Sequence, residues 1–264
     1  MMNTKINKLA VFLSGETQNK PIVFVHGYPY DHYMWDEQIK EFCKYYYCVT
    51  YDIRGLGESP AGDGQFTIEA FVDDLGCIIK ELGLVKPILC GLSMGGYISL
   101  RAIERMENKF SALILCDTKS LADDDQGKIK RASGIKTINE EGTEKFVEQF
   151  VANCFAGDFI KKENVEYLKV LNRSKRNGAA GLKGCLLAMA ARTDTTSFLS
   201  KISIPALVIC GSEDKLTPPE VMKNMAGQIQ NSKFVLIEGA GHMTPVEAPD
   251  IVNNAISEFL KKLN

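Results

Sequence analysis

Six short apolar runs limit what this chain can fold into: PIVFVHG (21–27), YYCVTYD (46–52), PILCGLS (87–93), SALILCD (111–117), PALVICG (205–211) and KFVLIEG (233–239). Each ends in Gly, Asp or Ser, and their hydrophobicity is continuous rather than alternating. Both faces of such strands must be covered, as in a parallel sheet held between helices. The intervening segments carry a helical period. Phe71, Leu75, Ile78 and Leu82 recur at i, i+4, i+7 and i+11, and Val252, Ile256, Phe259 and Leu263 do the same near the C-terminus. Strand and helix alternating in this way predict an α/β fold with right-handed crossovers. The opening INKLAVFLSGE (6–16) alternates more and predicts an antiparallel hairpin at the sheet edge.

One gap breaks the alternation. Residues 119–200 contain no convincing strand, only helix-like stretches: EEGTEKFVEQFVANCF (140–155), KENVEYLKVLNR (162–173) and GLKGCLLAMAAR (181–192). We therefore expect a single α/β core, 1–118 and 201–264, with a helical insertion at 119–200 that lies over the C-terminal edge of the sheet as a lid.

Charge and cysteine usage narrow the partners. A net charge of −2, from 31 basic and 33 acidic side chains, gives no polycationic face and argues against nucleic acid. The charged tract ADDDQGKIKR (122–131) is short and mixed in sign, the pattern of a solvated helix face or loop. Of the eight cysteines, Cys90, Cys116 and Cys210 lie at the ends of apolar runs, and no Cys-x-x-Cys occurs. With three histidines, His26, His32 and His242, a zinc site has few ligands to draw on, so no metal is expected. The N-terminal apolar stretch is too short for a signal-peptide core, and no segment approaches the roughly 18 apolar residues of a membrane span. A reducing, cytoplasmic setting with no membrane partner is expected.

Within this frame, CGLSMGGY (90–97) places Ser93 between a strand and a helix, in the pattern Gly-x-Ser-x-Gly. The chain turns sharply there, and glycines at 91 and 95 remove the clashes that the turn creates. The turn also aims a helix N-terminus at the serine, which favours an alkoxide or oxyanion. A general base is expected on the loop after the last strand, where EGAGHMTPVEAP supplies His242. The acid is expected after the preceding strand, where Asp214 stands beside Glu213; Asp117, at the end of SALILCD, is the rival. For the oxyanion hole we expect the N–H groups of Met94 and of Tyr28, the latter in the loop that follows PIVFVHG. His26, at a strand end before a glycine turn, reads as a brace for that loop, and Trp35, the sole tryptophan, as its packing anchor.

FVHGYPYDHYMW, YDIRGLGESP, CGLSMGGY, CGSEDKLTPP and EGAGHMTPVEAPD occur in the order and spacing of the α/β-hydrolase fold superfamily, which the chain resembles over most of its length. The resemblance implies a mostly parallel eight-stranded sheet flanked by helices, and the chain order Ser, Asp, His is the one that superfamily uses. The incomplete Gly-x-Gly of DIRGLGES suits a tight turn rather than a nucleotide loop, so no cofactor is expected. Within the superfamily the chain is similar to small lidded enzymes: 3-oxoadipate enol-lactonases, carboxylesterases, and cofactor-free haloperoxidases or perhydrolases. A serine in place of an aspartate nucleophile speaks against haloalkane dehalogenases and epoxide hydrolases.

The expected chemistry is hydrolysis of a small-molecule ester or lactone through an acyl-enzyme on Ser93. Two other readings keep the same triad: cleavage of a carbon–carbon bond in a diketone-like substrate, and a slow, receptor-like ligand binder. Phe155, Phe159, Leu187 and Met189 are candidates either for an acyl pocket or for ordinary lid core. Arg192 could bind a substrate carboxylate; pairing with Asp194 or capping the last lid helix is the competing role.

Overall fold

The computed structural model of the chain describes residues 2–161 and 164–263. Lys162 and Glu163, which open one of the expected helical stretches, lie outside the described residues. Eight strands form one sheet: β1 (Met2–Ile6), β2 (Leu9–Ser14), β3 (Pro21–Val25), β4 (Tyr47–Tyr51), β5 (Ile88–Leu92), β6 (Ala112–Cys116), β7 (Ala206–Gly211) and β8 (Ser232–Ile237). Their order across the sheet is β1-β2-β4-β3-β5-β6-β7-β8. The pairs β1–β2 and β2–β4 are antiparallel, and every other neighbouring pair is parallel. The predicted edge hairpin is present, and it turns through Asn7 and Lys8, both at positive φ (49° and 69°). Two left-handed residues give a turn whose twist matches the strands it joins.

Helices α1 (Asp36–Phe42), α2 (Ile68–Glu81) and α3 (Met94–Met106) follow β3, β4 and β5. The stripe read from the sequence is the buried face of α2: Phe71, Leu75 and Ile78 are buried, while Thr67 caps the helix by accepting the Ala70 N–H. β3, β5, β6 and β7 are buried almost throughout, as continuous apolar runs require, and each fully buried Ile, Leu or Val contributes about 1.5–3 kcal/mol. β8 departs from that reading. It is the edge strand, paired on one side to β7, its residues are mostly half-buried, and Leu236 is exposed.

Between β6 and β7 the chain forms α4 (Asp125–Glu141), α5 (Thr143–Ala152), α6 (Gly157–Lys161), α7 (Val165–Ser174) and α8 (Ala179–Ala190), with no strand among the described residues. The charged tract at 122–131 opens α4, where Asp124 caps the helix on the Gly127 N–H; Ile138 is the buried residue of α4. After β7 come α9 (Pro219–Gly227) and, beyond β8, α10 (Thr244–Glu247) and α11 (Pro249–Lys261). Val252, Ile256 and Phe259 are buried on α11 as expected. All eight cysteines are free, and no described helix is long and apolar enough to cross a membrane.

Candidate active site

The site begins with a strained residue. Ser93 leaves β5 at φ 53°, ψ −114°, in backbone space that non-glycine residues rarely occupy. Its N–H donates to the Cys116 carbonyl at 3.0 Å, and its own carbonyl accepts the Thr118 hydroxyl at 2.8 Å and the Tyr97 N–H at 3.0 Å. The two flanking glycines are required by contact: a Cβ on Gly91 would collide with the Gly95 carbonyl, and one on Gly95 with the Val25 carbonyl. This is the sharp strand-to-helix turn predicted for a nucleophile, and it directs the Ser93 side chain out of the core.

The structure brings Ser93, His242 and Asp214 together. His242 Nε2 lies 2.8 Å from Ser93 Oγ, and His242 Nδ1 lies 2.8 Å from Asp214 Oδ2. His242 and Asp214 are both buried, on the loops after β8 and β7. Asp214 Oδ1 accepts the N–H groups of Leu216 (2.8 Å) and Thr217 (3.0 Å), and Oδ2 accepts the Thr217 hydroxyl at 2.5 Å. Burial alone would raise this carboxyl. The neighbouring imidazole and the Thr217 donors outweigh burial and hold it below the usual carboxylate range. With Asp214 on Nδ1, the imidazole is oriented so that Nε2 can accept the serine proton.

Asp117, the rival acid, points elsewhere. Its Oδ1 accepts the Gly211 N–H at 3.0 Å, and its Oδ2 accepts the N–H and hydroxyl of Thr244 at 3.2 and 2.5 Å. Burial, reinforced by the charge of Asp214, pushes its proton affinity well up. Among the described residues, Asp117, Cys210 and Asp214 form the one group of potential metal ligands drawn this close together. They make a poor metal site. Each carboxylate is already occupied by protein donors, and burial holds the Cys210 thiol in its protonated form.

The loop predicted to supply an oxyanion donor runs beside the serine. A Cβ on Gly27 would stand 3.3 Å from Ser93 Cβ and 2.7 Å from Leu92 Cδ2, so the backbone passes where a side chain would not fit. Tyr28 follows Gly27, and its buried ring meets Phe150 of α5 edge-on at 5.2 Å. Met94 is the first residue of α3, among the N–H groups that have no acceptor within their own helix. His26 braces this loop rather than facing Ser93: Nδ1–H donates to the Gly27 carbonyl at 2.8 Å and Nε2 accepts the Ile53 N–H at 2.9 Å. Burial depresses its basicity, which keeps the acceptor nitrogen free of a proton. Trp35 packs buried against Phe24, at 5.2 Å between ring centroids.

The remaining candidates resolve toward structure. Arg192 is buried. It pairs with Asp123 at 2.8 Å rather than with Asp194, caps α8 through the Met189 carbonyl, and lies over the Tyr97 ring. Phe155 stacks on Phe159 at 5.5 Å, Met189 is buried, and Leu187 is 56% exposed, so Leu187 lines no enclosed acyl pocket. Two cavities of about 320 and 400 Å³ share Asp31, Tyr33, Lys169 and Arg173 as walls, and neither is lined by Ser93 or His242. The hydrogen-bond chain therefore marks the site better than empty volume does.

Three contributors are absent from the sequence reading. Thr217 was legible in principle, because Asp-x-x-Thr is the spacing at which a carboxylate collects N–H groups two and three residues on. Glu247 accepts the N–H groups of Gly241 and Met243, on either side of His242, at 3.0 and 3.1 Å, and that of Ala156 at 2.8 Å. Asn177 reaches the Tyr28–Pro29 loop from a distant part of the chain, with no local signal to announce it.

A family model described as alpha/beta hydrolase fold matches residues 20–249. The chain is similar to the 3-oxoadipate enol-lactonase 2 of Acinetobacter baylyi, with 27% identity over 95% of this chain and 92% of that protein. It is similar to the proline iminopeptidase of Lactobacillus helveticus, with 30% identity over 93% of this chain and 92% of the relative. Among solved structures, a thermophilic esterase from Thermogutta terrifontis, with malate bound, superposes with a TM-score of 0.93 and 33% identity, covering 100% of this chain and 99% of that one.

Proposed function

We propose that this chain, which belongs to the alpha/beta hydrolase fold family, is a serine hydrolase of small carboxylic esters or lactones, with Ser93, His242 and Asp214 as its catalytic triad. The observation that carries the proposal is the unbroken chain Ser93 Oγ–His242 Nε2–Nδ1–Asp214 Oδ2, with 2.8 Å at each hydrogen bond. The likeness to an enol-lactonase and an esterase supports the choice of ester or lactone over other acyl compounds.

In this reading His242 takes the Ser93 proton as Oγ attacks the carbonyl carbon. The tetrahedral oxyanion is met by the N–H groups of Tyr28 and Met94, each worth about 3 kcal/mol of barrier. His242 then returns the proton to the leaving oxygen. A water activated by the same imidazole attacks the acyl-enzyme and releases the acid. The helices between β6 and β7, residues 119–200, act as the lid that bounds a small substrate. Eight free cysteines suit a reducing, cytoplasmic location.

The test is turnover of p-nitrophenyl esters from acetate to decanoate, beside aliphatic and aromatic lactones and a prolyl anilide, by wild type and Ser93→Ala. We expect fast hydrolysis of short esters or lactones that is lost in Ser93→Ala. Turnover that survives the substitution would refute the proposal. A single turnover followed by stalling would favour a receptor-like or carbon–carbon-cleaving protein, and a preference for the anilide would favour a peptidase.

A further inference from the structure

We propose that Asn177, a buried side chain of the helical insertion, is a positioning residue that holds the loop bearing the Tyr28 oxyanion donor against Ser93; the assignment rests on the serine-hydrolase reading above. Asn177 lies in the turn between α7 and α8, where its N–H closes on the Ser174 carbonyl at 3.2 Å. Its side-chain Nδ2 donates to the Pro29 carbonyl at 2.6 Å, and its Oδ1 accepts the Gly57 N–H at 2.9 Å. A carbonyl can only accept and a backbone N–H can only donate, so one orientation of the amide satisfies both partners.

This grip falls on a loop fixed at its other peptides. The Gly27 carbonyl accepts both the Tyr30 N–H at 3.1 Å and His26 Nδ1–H at 2.8 Å. Pro29 has no N–H to contribute, so its carbonyl is its polar handle, and Asn177 holds that handle from the turn between α7 and α8. The far end of the amide is anchored as well. Gly57 lies in the 54–59 loop, whose Glu58 N–H donates to Asp52 Oδ2 at 2.8 Å, and Asp52 is tied in turn to His32. Asn177 thus joins the insertion, the oxyanion loop and the core through one side chain. An oxyanion donor acts only where the charge develops, and displacements well under 1 Å cost rate without weakening binding of the ground-state carbonyl.

The experiment compares wild type with Asn177→Asp and Asn177→Ala on the best short ester. Asn177→Asp is nearly isosteric and, as the ionised carboxylate, keeps an acceptor for Gly57 but has no donor for Pro29. Three quantities are read: kcat, KM, and the inhibition constant of a short alkylboronic acid. In the boronate adduct Ser93 Oγ bonds to boron, its proton passes to His242, and an anionic tetrahedral centre faces the oxyanion donors. We expect kcat to fall tenfold to a hundredfold, at about the scale of lost outer-shell support. Boronate affinity should weaken by a similar factor, with KM within about threefold, in an Asn177→Asp variant whose urea midpoint, though lowered, leaves it fully folded under assay conditions. If kcat and boronate affinity stay within about twofold of wild type in the folded Asp variant, the proposal is overturned. A loss confined to KM with boronate affinity intact overturns it too, because Asn177 would then serve substrate binding. Ser93→Ala run in parallel separates the two levels. Serine-dependent turnover indifferent to Asn177 removes the positioning role alone, whereas serine-independent turnover removes the hydrolase reading beneath it.

Discussion

Asp117 and Asp214 hold carboxylate oxygens within 4.8 Å of one another, yet it is Asp214 that bonds to His242. Their hydrogen bonds separate them: Asp214 shares its oxygens with the imidazole and Thr217, while Asp117 spends its own on Gly211 and Thr244. We expect Asp214→Asn to lower kcat about 10⁴-fold by presenting the wrong partner to Nδ1. Asp117→Asn should cost no more than about tenfold. Steady-state kinetics on one ester, with both variants checked for folding, decides the order. A larger loss at Asp117 would reverse the assignment of the acid.

Gly95 is the tightest point of the turn at Ser93, since a Cβ there would collide with the Val25 carbonyl and lie 2.7 Å from that of His26. Backbone cannot yield as a flexible side chain can. Gly95→Ala should lower stability by about 3 kcal/mol. Urea denaturation reads this as a lower midpoint at unchanged slope. A midpoint equal to wild type would show that the turn has room the geometry does not suggest.

Asp31 offers a test by pH. Burial, with the nearby Asp52 carboxylate adding to it, raises its pKa to about 6, against the opposing pull of His32 and Arg173. Because the folded value lies above the unfolded one, the folded chain binds more protons between pH of about 4 and 6, and stability falls as pH rises through that window. Asp31→Asn removes the ionisation and can still accept the Tyr33 N–H. Its stability should match wild type near pH of about 4 and exceed it above pH of about 6, by at most about 3 kcal/mol. Paired urea titrations at the two pH values would reject the idea if the difference did not grow with pH.

Arg192 separates a structural arginine from a substrate-binding one. Arg192→Met leaves Asp123 with Arg131, at 3.0 Å, as its closest remaining cation and removes the cap on α8. We expect a loss of about 3 kcal/mol in stability. The ratio of kcat/KM between a neutral ester and the same ester bearing a distal carboxylate should not change. A selective loss on the charged ester would restore Arg192 as a carboxylate receptor.

The parts of the fold that were legible are those whose cause is local. Continuous apolar runs give buried strands where the sheet continues on both sides, as at β3, β5, β6 and β7, but the run at β8 does not reveal its edge position. Gly91-x-Ser93-x-Gly95 announces its turn because the backbone cannot make it otherwise. Helix α4 was harder to read, since Ile138 is its buried residue and a helix that buries little leaves little apolar period. Leu187 has the composition of a pocket residue and is exposed on α8, a matter of helix rotation that sequence spacing does not fix. Asn177 and Glu247 were invisible for a different reason. Their partners include Pro29 and Ala156, 148 and 91 positions away, and no pattern in a single sequence encodes such pairings.

The His242 N–H donates to the Cys154 carbonyl at 2.8 Å, and Glu247 bridges the same loop to Ala156. The His242 loop and the segment after α5 are therefore stitched into one piece, and that limits how the molecule can be re-engineered. A chimera that exchanges the whole of 119–200 for a foreign insertion replaces the backbone on which His242 is hung, even though Ser93, Asp214 and His242 are all left in place. Grafts that keep 150–160 native and vary α4, α7 and α8 on either side leave that suture intact. They make residues 150–160 a hinge point for library design, with the histidine's alignment inherited rather than rebuilt.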